Sequence, residues 1–442
     1  MKKAKYEHHR SSISMDGEIK ALQEVFAGVE DNRGSNSSHK LHDIIMCGFA
    51  MFSLKYSSLL DFNSPSEIEK ENLKKIYGID SVCSDTQLRR VLDTIDPGFL
   101  RDLFPKQFVT LQKTGLLEEF GYKIGSLTYH IVSCDGVQHF SSKRISCDCC
   151  LKKEHRDGSI SYHHNMLAAV LVHPEKREVF ILDIEPITRQ DGSAKNDCER
   201  NAAKRLQQNM AKNYEKHQKD CNFLLTEDAL YANAPHIADL MASKFDYILN
   251  VKPDSHKTLF SYIEGKRKRK ELKTHTFIEG GITHSFEYVN NALLCASSPN
   301  LRVNFIQYTQ IDKKGKKTTF TWISNIVINK NKLMPLMRAA RARWKIENET
   351  FNTLKNLGYH FEHNYGHGKD HLSTMFAYLM LYAFYLDQLI QACSRTFSKI
   401  EKKIVTKIKL WGYLKAIFQT TYCSSIENIY KIIASMFCVQ LE

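Results

Sequence analysis

The sequence predicts an α/β protein in which a helical region precedes a central sheet. Before residue 127, apolar residues recur at helical spacing, as in 15–26 and 41–54. From 127 to 253, short apolar runs rich in β-branched and aromatic residues alternate with helical segments, which is typical of an α/β core. Between 254 and 328, apolar and polar residues alternate, which indicates strands. A chain of 442 residues can bury one large core or two to three ordinary ones.

These changes of pattern divide the chain into five segments. They are a helical domain, the first part of the core, a β-rich insertion, the second part of the core and a helical tail: 1–126, 127–253, 254–328, 329–395 and 396–442. Apolar runs predict five core strands at 127–138, 165–173, 178–185, 222–227 and 245–252. Asp197 and Glu199 open a basic helix between the third and fourth strands. They either complement its dipole or add acids to a site in the core.

Charge and cysteine content restrict the partners and the compartment. The formal net charge is +13 and the pI is about 9, which favours a polyanionic partner. The first ten residues lack the apolar segment of a secretory signal, so the 12 cysteines are expected to be reduced thiols in a cytoplasm. The apolar run 376–386 is shorter than the roughly 20 residues that a membrane span needs, so no membrane partner is expected.

Acidic residues follow two of the predicted strands. Asp135 precedes Gly136 at the end of the first strand, and Glu227 and Asp228 close the fourth. The carboxyl ends of strands are where open α/β sheets place their chemistry. Asp-Gly is also a common turn, so Asp135 is either a site residue or a turn residue.

The stretch 343–355 contains neither Pro nor Gly, and its apolar residues recur at helical spacing. Arg343, Glu347 and Lys355 lie on neighbouring rows of such a helix. One interpretation is a salt-bridged amphipathic helix. The other is that Glu347 binds a metal ion while Arg343 and Lys355 bind phosphates. Glu349 competes for the acidic role, although an α-helix rotates it by about 200° from Glu347 and away from the row of Arg343.

The sequence Arg343-Trp-Lys-Ile-Glu347, followed by Phe351 and Lys355, resembles the signature of the IS4-type DDE transposases. In that family, an Arg, three residues, a Glu, six residues and a Lys carry the third catalytic acid and its basic neighbours. The family's Tyr falls on Ala340 here, and the Lys comes one residue later than in the family pattern. Asp-Gly on the first strand resembles the family's first acid. The second acid of the family corresponds to Asp228 better than to Glu227.

The resemblance implies a ribonuclease-H-like catalytic core that carries a β-strand insertion and follows an α-helical domain, 1–126, that binds transposon ends. It implies that Asp135, Asp228 and Glu347 bind Mg²⁺, for which Mn²⁺ can substitute, and that Arg343 and Lys355 bind DNA phosphate. The expected function is metal-dependent cleavage at the ends of an insertion sequence, followed by strand transfer into target DNA.

The partners implied by the resemblance are double-stranded DNA, as terminal inverted repeats and as target, and a second copy of the chain on paired ends. The expected location is a bacterial-type cytoplasm, in association with the nucleoid when DNA is bound. Two alternatives stay open. One is a catalytically decayed DNA-binding derivative, which the shifted Lys keeps in consideration, and the other is a ribonuclease-H-like nuclease that cuts without joining.

A second cluster lies between the first two predicted strands. Cys147 and Cys150 have the two-residue spacing of zinc ligands, and His155 and His164 follow them. These four residues are the candidate ligands of a structural Zn²⁺, and a hairpin loop with reduced thiols is the alternative. The histidines between 360 and 371 are irregularly spaced and interrupted by glycine, which favours a loop over a metal site.

Overall fold

The computed structural model describes residues 2–34, 36–192, 195–217 and 221–441, and the side chains of residues 2–4 and 195–197 lie outside this description. The predicted role of Asp197 therefore lies outside the described residues. The chain forms two compact units. Unit 1 comprises 1–116, 137–166 and 348–442, and unit 2 comprises 117–136 and 167–347. The helical N-terminal segment thus shares a unit with the C-terminal helices, whereas the five predicted segments follow one another along the chain.

Helices make up most of unit 1. Those before the first strand are α1 Lys2–Ser12, α2 Met15–Ala27, α3 Leu41–Ser53, α4 Leu59–Phe62, α5 Glu67–Tyr77, α6 Asp85–Asp93, α7 Gly98–Arg101, α8 Leu103–Lys113 and α9 Leu116–Glu119. The remaining helices, in both units, are α10 Lys195–Tyr214, α11 Ala234–Ala242, α12 Lys257–Lys268, α13 Leu333–Arg341, α14 Asn352–Asn356, α15 Leu372–Cys393, α16 Arg395–Glu401, α17 Lys407–Thr420 and α18 Ile426–Met436. Among the described residues, no helix has the length and apolar character needed to span a membrane.

The strands are β1 Tyr122–Ile124, β2 Leu127–Ser142, β3 Leu151–Glu154, β4 Ile160–Val172, β5 Phe180–Ile187, β6 Asn222–Glu227, β7 Asp246–Asn250, β8 Lys273–Glu279, β9 Ile282–Leu293, β10 Arg302–Ile311 and β11 Lys317–Ser324. All of them except β3 form one mixed sheet in unit 2 in the order β4-β2-β6-β7-β11-β10-β9-β8, with β5 paired to β4 and β1 to β2. Strand β3 pairs with the first residues of β4 in unit 1. The pairs β2–β6 and β6–β7 are parallel, whereas β8 to β11 form an antiparallel meander that joins β7 through β11. The predicted α/β class with a large sheet is confirmed.

Two elements differ from the sequence prediction. The basic run 266–270 was expected in an all-β segment, but its first residues form the last turn of α12. Cations are favourable at a helix C-terminus because they complement the helix dipole there. A prediction based only on the alternation of apolar and polar residues does not include this preference. The four strands of the same segment extend the core sheet rather than forming a separate layer.

The segment 343–355 is the second difference, because it is not one continuous α-helix. Helix α13 ends at Arg341, a π-helical segment spans Ile346–Phe351, and α14 follows. Two hydroxyl groups of the sheet in unit 2 explain where the α-helical ladder stops. Thr226 Oγ1 donates to the carbonyl of Ala340 at 3.5 Å, and Ser133 Oγ donates to the carbonyl of Arg343 at 3.0 Å. Side chains that enter the hydrogen-bond ladder of a helix in this way interrupt it.

Candidate active site

Strands β2 and β6 place two acidic residues side by side in unit 2. The two strands are parallel neighbours, and Ser133 on β2 lies opposite Thr226 on β6. Asp135 and Asp228 each follow two residues later, so they share a face of the sheet. Asp228 directly follows β6, whereas Asp135, predicted at the end of its strand, lies within β2, which continues to Ser142. Asp228 Oδ1 also accepts the backbone N–H of Leu230 at 2.8 Å, which fixes the turn after β6. The strand register therefore brings together two residues that are far apart in sequence.

Arg343 links Asp135 to Glu347. Its Nη1 donates to Asp135 Oδ2 at 2.9 Å, and its Nη2 donates to Glu347 Oε1 at 2.7 Å. The guanidinium is nearly buried, with 10% of its side chain exposed, whereas the Glu347 side chain is 48% exposed. The carboxylate of Glu347 thus faces solvent on one side and the guanidinium on the other.

The charges of the three acids reach one another. Burial raises the pKa of Asp135 to about 6, Arg343 and the backbone N–H of Gly136 act in the opposite direction, and the charges of Glu347 and Asp228 raise it further. Opposing effects of this kind are expected where carboxylates share a site with a single cation. The group therefore carries more negative charge than Arg343 can neutralise.

The other residues predicted for this helix lie in unit 1. Lys355 belongs to α14, where its Nζ pairs with Glu362 Oε1 at 2.7 Å. Glu349 lies in the π-helical segment and makes no ion pair within the described part of the chain. The ion pair with Arg343 is made by Glu347, at the spacing of four residues that the sequence predicted.

Glu227 and Glu199 occupy different positions around the two strands. Glu227 is buried, and its Oε2 lies 2.6 Å from Nε2 of His236, so it belongs to the interior of unit 2. Glu199 accepts the hydroxyl of Tyr231 at 2.9 Å, and its Oε1 lies 3.7 Å from the point that a Cβ would occupy at Gly136. A fourth carboxylate therefore lies beside the backbone next to Asp135, which agrees with the second of the two roles that the sequence left open for Glu199.

The cysteine cluster lies in unit 1 and gains a histidine from a distant part of the chain. Ligand atoms of Cys147, Cys150, His164 and His367 all lie within 4.8 Å of one another. His155 was predicted in this group, but its Nε2 pairs with Ser161 Oγ at 2.8 Å instead. Burial lowers the pKa of His164 to about 4, an effect that the charge of His367 strengthens, so its imidazole is neutral.

The histidines of 360–371 lie in a loop, as predicted, but His367 also approaches the cysteine cluster. It lies in the loop between α14 and α15, and its Nε2 lies 3.3 Å from the Sγ of Cys150. The irregular spacing of these histidines hid this role because the partner is 217 residues away.

Comparison with protein families identifies the chain. The model of the transposase DDE domain matches residues 152–384, which is more than half of the chain. The chain belongs to this family. The family implies an enzyme that cleaves and transposes DNA, and DDE transposases generally use divalent metal ions. The match includes Asp228, Arg343 and Glu347, whereas Asp135 precedes it.

Comparisons with curated proteins and with solved structures give no further information about this member of the family. No curated protein matches the chain. Among solved structures, the NurA nuclease from Sulfolobus solfataricus is similar at 11% identity, over 70% of this chain and 99% of the nuclease, with a TM-score of 0.22. A TM-score this low supports no conclusion about fold or function.

Proposed function

We propose that the protein is an IS4-type transposase that performs metal-dependent phosphoryl transfer on DNA, with Asp135, Asp228 and Glu347 as its catalytic acids. The observation that carries this proposal is that Arg343 joins Asp135 to Glu347, with the charge of Asp228 acting on Asp135, in a chain of the transposase DDE family. The acids come from two neighbouring parallel strands and from the start of a π-helical segment. Such π-helical turns are frequently found at functional sites.

The donor set fits a hard divalent cation. All three acids offer carboxylate oxygens, the ligands that Mg²⁺ and Mn²⁺ prefer, and no thiol or imidazole competes among them. Burial is the main cause of the raised pKa of Asp135, and the charges of Glu347 and Asp228 add to it, so a bound cation would stabilise the ionised carboxylates. When bound, Mg²⁺ activates the attacking water or 3′-hydroxyl and stabilises the leaving oxygen.

Arg343 has a role that follows from its contacts. It holds Asp135 and Glu347 in one arrangement, so the acids are positioned before DNA arrives. Its Nε is buried and has no hydrogen-bond partner among the described residues. An unpaired buried donor costs about 1–3 kcal/mol, so this arrangement of Arg343 is held at some cost in stability. We assign Arg343 to orientation of the acids and to charge neutralisation at the DNA phosphate.

A ribonuclease-H-like core is the finer fold that we propose for unit 2. Its support is the chain order of strand, acid, two strands, helix, strand, acid, helix and strand, together with the parallel neighbours β2, β6 and β7. The meander β8–β11 then corresponds to the insertion between the second and third acids.

Basic tracts in unit 2 supply candidate contacts to the DNA backbone. Residues 266–270 lie at the end of α12, and residues 313–317 lie at the turn between β10 and β11. Exposed cations on a duplex release counterions, so each phosphate contact adds about one unit to the salt dependence of binding. We propose double-stranded DNA as the partner, with two copies of the chain on paired ends.

The test is cleavage and joining of labelled DNA that carries the element's own ends, in Mg²⁺ or EDTA. Wild-type protein is expected to produce metal-dependent nicks and joined products, and Glu347→Gln is expected to lose both while retaining DNA binding. Glu349→Gln is the matched control, because it removes the same charge two residues away, and it is expected to cleave normally.

Each alternative outcome has a definite meaning. Normal cleavage by Glu347→Gln together with loss in Glu349→Gln would transfer the third acid to Glu349. Metal-dependent cleavage without joined products would favour a nuclease over a transposase. DNA binding without cleavage in any divalent metal would identify a catalytically decayed derivative.

A further inference from the structure

Four soft or borderline ligand atoms meet in the interior of unit 1. They are Sγ of Cys147 and Cys150 and Nε2 of His164 and His367. Cys150, His164 and His367 are buried, and Cys147 is partly buried. Cys147 and Cys150 are free thiols, because their sulfur atoms are 3.7 Å apart. The four side chains therefore converge without a disulfide between the cysteines.

The distances match the edges of a tetrahedron around zinc. Zinc–sulfur bonds of about 2.3 Å and zinc–nitrogen bonds of about 2.05 Å give edges of roughly 3.8 Å for S–S, 3.6 Å for S–N and 3.3 Å for N–N. The two sulfur atoms are 3.7 Å apart, and the two imidazole nitrogens are 3.0 Å apart. The sulfur–nitrogen distances within hydrogen-bonding range are 3.3–3.4 Å. These five edges agree with a tetrahedral site to within about 0.3 Å, and the sixth, from Sγ of Cys147 to Nε2 of His367, is shorter than 4.8 Å.

The surroundings of His367 direct its ligand atom toward the other three. Its Nδ1 donates to the carbonyl of Gly368 at 2.6 Å, which leaves the lone pair on Nε2. A hydrogen bond of this type fixes the tautomer and the ring orientation of metal-binding histidines. Gly368 has a φ of +69°, and a Cβ there would lie 2.1 Å from Oδ1 of Asp93. Only glycine therefore fits at this position.

Asp93 fixes the remainder of the loop that carries His367. Its carboxylate accepts the backbone N–H groups of Lys369, Asp370, His371 and Leu372 at 2.8–3.1 Å. These donors precede and begin α15, where backbone N–H groups have no partner within the helix. The loop is thus held in place by bonds that do not depend on the four ligand side chains.

We propose that Cys147, Cys150, His164 and His367 bind one structural Zn²⁺. Thiolate and imidazole ligands select zinc over Mg²⁺ or Ca²⁺, and four protein ligands leave no open position for a substrate. Two thiolates balance the charge of the ion, which a buried site requires. The ion connects the hairpin that follows β2 to the loop that follows α14. It is separate from the carboxylate site and needs no catalytic activity for its detection.

The experiment uses the full-length, tag-free protein expressed with zinc and analysed for metal by mass spectrometry. About one zinc per chain is expected in the wild type. Cys150→Ser and His367→Ala are expected to lose the bound zinc. Cys149→Ser and His155→Ala are the matched controls, since both residues lie in the same hairpin region outside the cluster, and they are expected to retain it.

A second measurement protects the test against misfolded variants. Wild-type protein loaded with Co²⁺ in place of zinc is expected to show the visible absorption of a tetrahedral complex and a thiolate-to-cobalt charge-transfer band. Absence of both zinc and the cobalt spectrum from wild-type protein would overturn the proposal. Loss of zinc in His155→Ala with retention in His367→Ala would overturn the ligand set.

Discussion

The carboxylate site of unit 2 and the sulfur–nitrogen site of unit 1 differ in ligand chemistry and in exposure to solvent. In the carboxylate site, one guanidinium holds Asp135 and Glu347, the charge of Asp228 acts on Asp135, and Glu347 remains 48% exposed. In the sulfur–nitrogen site, two thiols and two imidazoles are packed together, and three of the four residues are buried. The first site keeps an accessible acid and excess charge, whereas the second is closed by its own ligands.

This contrast connects ligand chemistry to role. Oxygen ligands with open coordination positions suit exchangeable hard cations that contact a substrate. Closed tetrahedral sites with sulfur and nitrogen ligands suit an ion that stabilises the fold. We therefore expect changes in the first site to affect catalysis more than folding, and changes in the second to affect folding first.

The largest expected effect is on DNA cleavage by variants of the carboxylate site. Asp135→Ala or Asp228→Ala removes a proposed metal ligand, and cleavage is expected to fall by at least about 10³-fold, while DNA binding is mostly retained. Glu199→Gln is the control, because it alters the neighbouring carboxylate that pairs with Tyr231. Equal losses in Glu199→Gln and Asp228→Ala would mean that the site contains a fourth essential acid.

Removal of zinc is expected to have the next largest effect, on stability. Stripping the ion with a strong chelator should remove about 4 kcal/mol if its free concentration is about a thousand times its dissociation constant. The melting temperature should then fall by on the order of 10 °C, as measured by calorimetry. Asp228→Asn, which keeps an acceptor for the N–H of Leu230, should leave the melting temperature nearly unchanged. If both treatments lowered it equally, the distinction between a catalytic and a structural site would fail.

A buried ion pair in unit 1 tests whether burial alone, without a metal ion, makes a polar site important for stability. Lys55 Nζ lies 2.7 Å from Asp387 Oδ2, and both side chains are almost completely buried. Burial lowers the pKa of Lys55, and the charge of Asp387 acts in the opposite direction. Asp387→Asn leaves an unpaired buried charge, so the free energy of unfolding in urea should fall by about 3 kcal/mol.

The double variant Lys55→Met with Asp387→Asn provides the control for this pair. It removes the unpaired charge, so it should recover part of the stability lost by the single variant. A double variant that is less stable than Asp387→Asn would show that Lys55 contributes mainly through its contacts with the rings of Tyr359 and Trp411.

The smallest effect is expected at Lys355, whose pair with Glu362 is partly exposed. Lys355→Ala should change the free energy of unfolding by less than about 1 kcal/mol, because exposed ion pairs contribute little. If Lys355 binds phosphate, the salt dependence of DNA binding should fall by about one unit. Glu362→Gln is the matched control, since it breaks the same ion pair but leaves the cation. An unchanged salt dependence in Lys355→Ala would remove this residue from the DNA interface.

Local pattern was sufficient to predict the strands and Asp228 directly after β6, but it placed Asp135 at the end of β2, which continues to Ser142. The runs that became β2, β4, β5, β6 and β7 were all predicted within a few residues of their ends. Hydrophobic periodicity records which side chains face a core, and turn residues record where a strand ends. The proximity of Asp135 and Asp228 then required only that their strands be parallel neighbours.

Contacts between distant segments were not encoded locally. Sequence spacing gave Arg343 and Glu347 as neighbours, but not the contact of Arg343 with Asp135, 208 residues away. Sequence spacing also predicted a continuous α-helix over 343–355. The hydroxyl groups that interrupt its hydrogen-bond ladder belong to Ser133 on β2 and Thr226 on β6, which are distant in sequence.

The cysteine cluster shows most clearly which features follow from the sequence and which depend on the tertiary structure. The sequence by itself determined the pair Cys147 and Cys150, because their spacing is a property of one turn. Only the tertiary structure decided that His367 rather than His155 completes the group. The physical reason is that a tetrahedral site needs ligand atoms a few ångströms apart, and chain distance says little about which side chains a fold brings that close.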